Sequence, residues 1–247
     1  MPDADSDLPA PLPQDADTPP QPETARRLIL VAIGWFLLAT MPVTVSFFLG
    51  IDLKAYGNED FLFVVLDIVT DIVLVISIFV RGRVVGHGNV RAGVGDGPIA
   101  RLPIIVTLGI LAAAYPVIVI VGYRQGYINL SGGFGSPTQP ESWLVAFSIF
   151  RSLFIAPVVE ELIFRGWLWT GLQKRWSTLP IVLVTSALFI AIHFPPTIVI
   201  LAVRIPGDLL LAAARHFGRS VRAPIALHVI NNLSLRLGML AITAGYL

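Results

Sequence analysis

Three long apolar runs constrain the fold of this chain more than any other feature. They extend from Leu28 to Leu49, from Phe61 to Val80 and from Leu102 to Tyr123. A helix of about 20 apolar residues spans the hydrocarbon of a bilayer. Only 13% of the 247 residues are charged, against about 25% in soluble domains. The sequence therefore predicts an all-α, polytopic membrane protein.

The second half of the chain predicts four further helical segments. Residues 143–174 form the first, and the next begins near Leu179 and ends at the HFPP sequence, where prolines stop it. Residues 197–214 are less regular, and the last helix begins at Pro224, which suits a first helical turn. We therefore expect about seven membrane-embedded helices around a polar intramembrane cavity.

The ends of the apolar runs predict an orientation in the membrane. Arginine is concentrated in alternate loops, which by the positive-inside rule places the N-terminus in the cytoplasm. Residues 1–25 are rich in proline and acidic side chains and offer little to bury, so they are expected to be a disordered cytoplasmic tail.

Charged side chains interrupt one of these helices, in the sequence VVEELIFRGWLW from Val158 to Trp169. A charge at the centre of a bilayer costs roughly 2.5 to 3.5 kcal/mol. Glu161 and Arg165 are four residues apart and can pair on one face, whereas Glu160 points about 100° away. The pattern predicts one neutralised carboxylate and one available for chemistry; the alternative is an ion-pair cluster that serves helix packing alone.

Two histidines in apolar surroundings favour the chemical interpretation. His193 ends the sequence ALFIAIHF, and His228 lies early in the last predicted helix. Together with Glu160 they form a set of groups suited to polarising water. Asn232 follows His228 by four residues and shares its face, where its amide could donate to an oxyanion.

These motifs resemble, in the same order, those of the CPBP intramembrane proteases, a family that includes the type II CAAX prenyl endopeptidases. EELIFR at 160–165, FIAIH at 189–193 and HVINN at 228–232 match its EExxxR, FxxxH and HxxxN patterns. The resemblance covers 151–235. It predicts that 26–141 are N-terminal membrane helices and that 142–247 are the catalytic helical core.

The resemblance also implies residue roles. Glu160 would be the general base that activates water, helped by His193, with Glu161 and Arg165 supporting the site. His228 and Asn232 would stabilise the oxyanion. Glu160, His193 and His228 could instead bind zinc as a His₂Glu set, so the cofactor prediction is none or zinc, with the metal-free mechanism favoured.

Other functions stay open at this point. Asp67 and Asp71 lie four residues apart in the second apolar run and could mark an ion-coupled transporter, or they could pack against an arginine. A non-catalytic immunity or scaffold protein with a protease-like fold is the third possibility. Asp208 is expected to line the cavity or to pair with Arg204.

Composition limits the partners. The net charge of +1 argues against nucleic acid, and the absence of cysteine excludes disulfides and a cysteine nucleophile. The expected partners are membrane lipid and a peptide or membrane-protein substrate. Fifteen arginines against two lysines indicate a GC-rich, bacterial genome. Together with the apolar runs, this predicts a multi-pass protein of a bacterial cell membrane.

Overall fold

The computed structural model describes residues 24–39, 59–124, 146–147, 149–191 and 198–243, and within them the chain is helical, with no strands. The all-α prediction is thus confirmed for this part of the chain. The helices are α1 (Ala25–Ala39), α2 (Glu59–Val85), α3 (Val90–Gly93), α4 (Leu102–Arg124), α5 (149–173), α6 (Thr178–Ala191), α7 (Ile198–Gly218) and α8 (Arg222–Thr243).

Helix α5 carries the Glu-Glu motif and changes its winding along its length. Wider π-helical segments, Arg151–Ile155 and Leu162–Leu168, flank the α-helical segment Ala156–Glu161. Pro157 has no backbone N–H to donate, so the regular ladder is interrupted at this residue. Segments of π-helix often occur at functional sites, and here they lie on both sides of the two carboxylates.

Two packed groups of helices meet at α5. The first surrounds α5 with α1, α2 and α6, and its centre includes Trp167, whose ring centroid lies 4.6 Å from that of Trp35. The second joins α4, α7 and α8 through small and branched residues such as Ala112, Ala214 and Leu227. Because α8 also packs on α5, the polar residues of α5, α7 and α8 face one another between the groups.

The loop after α3 closes one end of the bundle. Its Gly95 carbonyl accepts a hydrogen bond from the backbone N–H of Val221, and Ser220 donates its hydroxyl hydrogen to the carbonyl of Gly97. Gly95 has a φ of +63° and lies against the Arg215 side chain. Only glycine adopts this conformation without strain while leaving room for Arg215.

Helix α7 differs from its prediction. An irregular segment was expected at 197–214, but the described part of it belongs to one continuous helix, Ile198–Gly218, although Pro206 removes a backbone donor within it. Its charged residues do not break the helix because Asp208 and Arg215 bond to α5.

The count of seven membrane spans is not confirmed. Among the described residues, one helix, α4 over Leu102–Gly122, is long and apolar enough to cross a membrane. The described parts of α1 and α6 have 15 and 14 residues, fewer than the about 20 that a perpendicular span requires.

Candidate active site

Glu161 and Arg165 form a completely buried ion pair in α5. Nη1 of Arg165 lies 3.2 Å from Oε1 of Glu161, and both side chains are 0% exposed. The pairing predicted from their spacing is therefore confirmed. A buried pair of this kind needs further polar partners to offset the loss of hydration, and the neighbouring helices supply them.

Asp208 of α7 is the second acidic partner of Arg165. Nη2 of Arg165 donates to Oδ1 of Asp208, and both side chains are essentially buried. Of the two expectations for Asp208, pairing with Arg204 is wrong: within the described part of the chain, Asp208 pairs with Arg165 of α5 instead. One guanidinium thus holds a carboxylate from each of two helices.

Phe189 and Arg215 complete the surroundings of Arg165. The Arg165 guanidinium lies 4.4 Å from the centroid of the Phe189 ring, a cation–π contact. Nε of Arg215 donates to the backbone carbonyl of Arg165, 2.6 Å away. The second π segment of α5 is therefore fixed both by its side chain and by its backbone.

His228 connects the two glutamates. Its Nδ1 lies 2.9 Å from Oε1 of Glu161, and its Nε2 lies 3.9 Å from Oε2 of Glu160. The ring also meets Phe189 edge to face, with centroids 5.7 Å apart. Because an ionised carboxylate can only accept, Nδ1 donates to Glu161, and in a neutral ring Nε2 is left as an acceptor directed toward Glu160.

Glu160 differs from its neighbour in the way the sequence predicted. Its side chain is 23% exposed, whereas that of Glu161 is fully buried. Among the described residues no ion pair joins Glu160 to Arg165. The two adjacent carboxylates thus have different surroundings: one is neutralised inside the protein, and the other borders solvent-accessible space beside an imidazole.

Asn232 is bound to the backbone of α5. Its Nδ2 donates to the carbonyl of Ser152, 2.9 Å away. In the first π segment the N–H of Ala156 bonds to the carbonyl of Arg151, so the next donor in this register would be residue 157. That residue is Pro157 and has no N–H. The Asn232 side chain supplies the missing donor, and one of its two N–H groups is therefore committed to the protein.

Two predicted residues cannot be placed. His193 lies in the stretch 192–197, outside the described residues, and its role stays a prediction. The backbone of Asp67 lies in α2, but its side chain is outside the described part of the structure. Asp71, by contrast, pairs with Arg151 through two contacts of 2.8 and 3.2 Å, which agrees with packing against an arginine.

The comparison with protein families bears on this same region. Residues 142–234, which contain the Glu-Glu motif, both predicted histidines and Asn232, match the family described as type II CAAX prenyl endopeptidase Rce1-like. The matched segment, less than half of the chain, is similar to an Rce1-like domain. The match confirms the resemblance to the CPBP proteases. No curated protein and no solved structure matches the chain.

The similarity to the Rce1-like family supports a peptidase role in general, because the family is described as one of endopeptidases. The catalytic assignments within it stay predictions. In the described residues no group of three histidine, cysteine or acidic side chains is arranged to hold a metal ion.

Several contributors to the candidate site were not predicted from the sequence. The sequence indicates Arg215 only as one of the loop arginines, Arg151 only as the start of the region of resemblance, and Phe189 only as a motif residue. A usable signal was present for Asp208 and Arg215, since ionisable residues within an apolar helix need partners. Nothing in the sequence identified Ser152, because it contributes only a backbone carbonyl.

Proposed function

We propose that the chain is an intramembrane endopeptidase in which Glu160 activates a water molecule for attack on a peptide bond. The observation that supports this best is the contrast between the two adjacent glutamates. Glu161 is buried and ion-paired, while Glu160 is partly exposed and lies 3.9 Å from Nε2 of His228. A general base must reach its proton directly or through one water, and this separation suits a bridging water.

The geometry suggests how such a water would be held. A water hydrogen-bonded at about 2.8 Å to each acceptor fits between Oε2 of Glu160 and Nε2 of His228. Both of its hydrogens would then be bound, leaving the lone pairs of its oxygen to attack the carbonyl carbon. Glu161 keeps the His228 ring in the required tautomer and orientation. His193, from the family pattern, would assist Glu160.

The distribution of polar and apolar residues supports a site inside the membrane. Glu161, Arg165 and Asp208 are buried, while large apolar residues cover the outside of the protein. Exposed apolar surface of this extent marks contact with lipid or protein. We infer an integral, multi-pass protein of a bacterial cell membrane with a cytoplasmic N-terminus. The exposed residues of α2 and α4 include Ile72, Ile76, Phe79, Val80, Ile110, Leu111, Val117 and Ile118.

Zinc is the alternative means of activating water. Its ligands would be Glu160, His193 and His228, and it would lower the pKa of a bound water. The surroundings of His228 are compatible with metal binding through Nε2. Metal-bound histidines usually donate their other N–H to a carboxylate, as Nδ1 of His228 does to Glu161. The same bond also serves the metal-free mechanism, which we favour. Metal analysis before and after chelation, with cleavage assayed in both samples, distinguishes the two.

The family description names prenyl endopeptidases, but no residue described above recognises a prenyl chain. We therefore propose a peptide or membrane-protein substrate without specifying a lipid group. Matched C-terminal peptides with and without a farnesyl thioether would establish whether prenylation matters.

Comparing membranes that carry the wild type with membranes that carry Glu160→Gln tests the proposed function. We expect new peptide termini only with the wild type, and equal amounts of folded protein for both. Asp71→Asn is the matched control, since it also removes one carboxylate from an apolar helix and should retain cleavage. If Asp71→Asn abolished the biological activity and Glu160→Gln did not, the transporter hypothesis would replace ours. Activity that survived both Glu160→Gln and His193→Ala would favour the scaffold hypothesis.

A further inference from the structure

Arg204 is a charged residue near the candidate site that lies outside all three motifs. It precedes Asp208 by four residues in α7, so the two side chains project from the same face. Asp208 is bound to Arg165 of α5. Farther along both helices, Arg215 donates to the Thr170 hydroxyl. Residue numbers thus increase together along these contacts, which means that α5 and α7 run in the same direction.

This direction places Arg204 on the glutamate side of the Arg165–Asp208 pair. Glu161 precedes Arg165 by four residues in α5, as Arg204 precedes Asp208 by four residues in α7, so both lie on the same side of that pair. Glu160 immediately precedes Glu161. An electrostatic interaction between the Arg204 guanidinium and the Glu160 carboxylate agrees with this placement.

Arg204 differs from the other arginines around the site. Arg165 and Arg151 are bound to carboxylates, and Arg215 is bound to a backbone carbonyl and a hydroxyl. Arg204 is exposed, and among the described residues no hydrogen bond or ion pair engages its guanidinium. Its N–H groups are therefore available to a bound substrate.

Of the two expected oxyanion donors, His228 has its Nε2 directed toward Glu160, and Asn232 has one N–H bound to the Ser152 carbonyl. We propose that Arg204 is a catalytic residue whose guanidinium binds the oxyanion formed during peptide hydrolysis. This inference rests on the proposed endopeptidase function. An arginine suits the task because its guanidinium always carries a positive charge and its five N–H groups only donate.

Arg204 acts in the step that forms the tetrahedral intermediate. The water oxygen bonds to the peptide carbonyl carbon while one of its protons passes to Glu160. The carbonyl π electrons move onto oxygen, and Arg204 donates N–H groups to the resulting oxyanion. The C–N bond then breaks, and Glu160 returns the proton to the departing amine nitrogen. Stabilising the oxyanion by a fixed donor contributes roughly 10²- to 10³-fold in kcat.

The test uses the full-length chain in liposomes and a peptide that the wild type cleaves and Glu160→Gln does not. Arg204→Ala should lower kcat by roughly 10²- to 10³-fold while changing KM little. Millimolar guanidinium ion should restore part of the Arg204→Ala rate and none of the Glu160→Gln rate. Arg204→Lys should be intermediate. Arg83→Ala, which removes an exposed arginine from the last turn of α2, is the control and should leave kcat unchanged.

Three results would overturn the assignment. They are an unchanged kcat for Arg204→Ala, a change confined to KM, and no response to guanidinium in a variant whose unfolding temperature matches the wild type. If Arg204→Ala does not fold, the comparison of Arg204→Lys with the wild type decides in the same way through kcat. A wild type that cleaves nothing overturns the endopeptidase function itself, which is a distinct outcome.

Discussion

Nδ1 of His228 lies 2.9 Å from Oε1 of Glu161, across 67 residues of sequence. Glu161 therefore serves two partners, since the same oxygen also lies 3.2 Å from Nη1 of Arg165. The buried carboxylate both neutralises a cation in α5 and orients an imidazole in α8. This double contact explains why two adjacent glutamates are needed. Glu161 holds Arg165 and His228 in place, and Glu160 remains available to the substrate.

Replacing Glu161 by glutamine should slow the reaction without changing the shape of the site. Glutamine can still accept a hydrogen bond from Nδ1 of His228, but the charge that holds the ring is lost. Loss of such an orienting partner typically costs about 10- to 100-fold. We expect a fall of this size in kcat for Glu161→Gln, measured on a peptide cleaved by the wild type. A variant with wild-type kcat would contradict the orienting role of Glu161.

Removing Arg165 should destabilise the protein more than removing it together with Asp208. Arg165→Met leaves the Glu161 and Asp208 carboxylates buried without their cation, and breaking a buried pair in this way costs about 3 to 5 kcal/mol. The double variant Arg165→Met/Asp208→Asn leaves one carboxylate fewer, so part of that loss should be recovered. Unfolding by SDS in mixed micelles measures both. A double variant less stable than Arg165→Met would show that Asp208 does not act through Arg165.

Asn232 and Pro157 should be coupled through the carbonyl of Ser152. Asn232→Leu removes the donor to that carbonyl, and we expect lower stability and lower kcat together. Pro157→Ala provides a backbone N–H that can replace the lost side-chain donor. The double variant Asn232→Leu/Pro157→Ala should therefore recover much of the kcat lost in Asn232→Leu. Absence of recovery, with a normal unfolding transition, would favour the original expectation that Asn232 acts on the oxyanion.

The sequence predicted the parts of the site that depend on local geometry. The Glu161–Arg165 pair follows from a spacing of four residues, and the different environments of Glu160 and Glu161 follow from the turn of one residue between them. Neither needs knowledge of how helices pack. Most helical segments were likewise predictable, because apolar length and proline positions act within each segment. The exception is α7, where Pro206 lies inside a continuous helix.

The contacts between helices were not predictable in the same way. The Arg165–Asp208 pair joins residues 43 apart, and the Asn232–Ser152 bond joins residues 80 apart. Such contacts depend on the level at which one helix meets another. The bond to Ser152 further depends on a π-helical register, in which Pro157 coincides with the missing donor. A single sequence shows that these polar groups need partners, but not which partner each one finds.

Asp71 and Arg151 should contribute to stability rather than to transport. The pair joins α2 to the start of α5 through two contacts, and coupled residues of this kind show interaction energies of about 0.5 to 3 kcal/mol. A double-mutant cycle of Asp71→Asn and Arg151→Gln, followed by unfolding in mixed micelles, should give a coupling within that range. Peptide cleavage by Asp71→Asn should stay near wild type. A coupling near zero would mean that the two side chains do not act as a pair.

Asp96 should make the stability of the loop after α3 depend on pH. Its carboxylate accepts hydrogen bonds from Arg222 at the start of α8 and from Arg91. The hydrogen bond from Arg222, followed by that from Arg91, holds the pKa of Asp96 below its ordinary value of 3.8. A lowered pKa means that the stabilisation is fully present above pH 3.8 and is lost as the pH falls through the lower folded-state value. We therefore expect Asp96→Asn to lower the unfolding temperature at pH 7 and to match the wild type more closely at pH 3.

The contacts of Asp96 are near the surface, so high salt should reduce the difference in unfolding temperature at pH 7. An unfolding-temperature difference equally large at pH 3 and pH 7 would show that the Asp96 charge is not responsible.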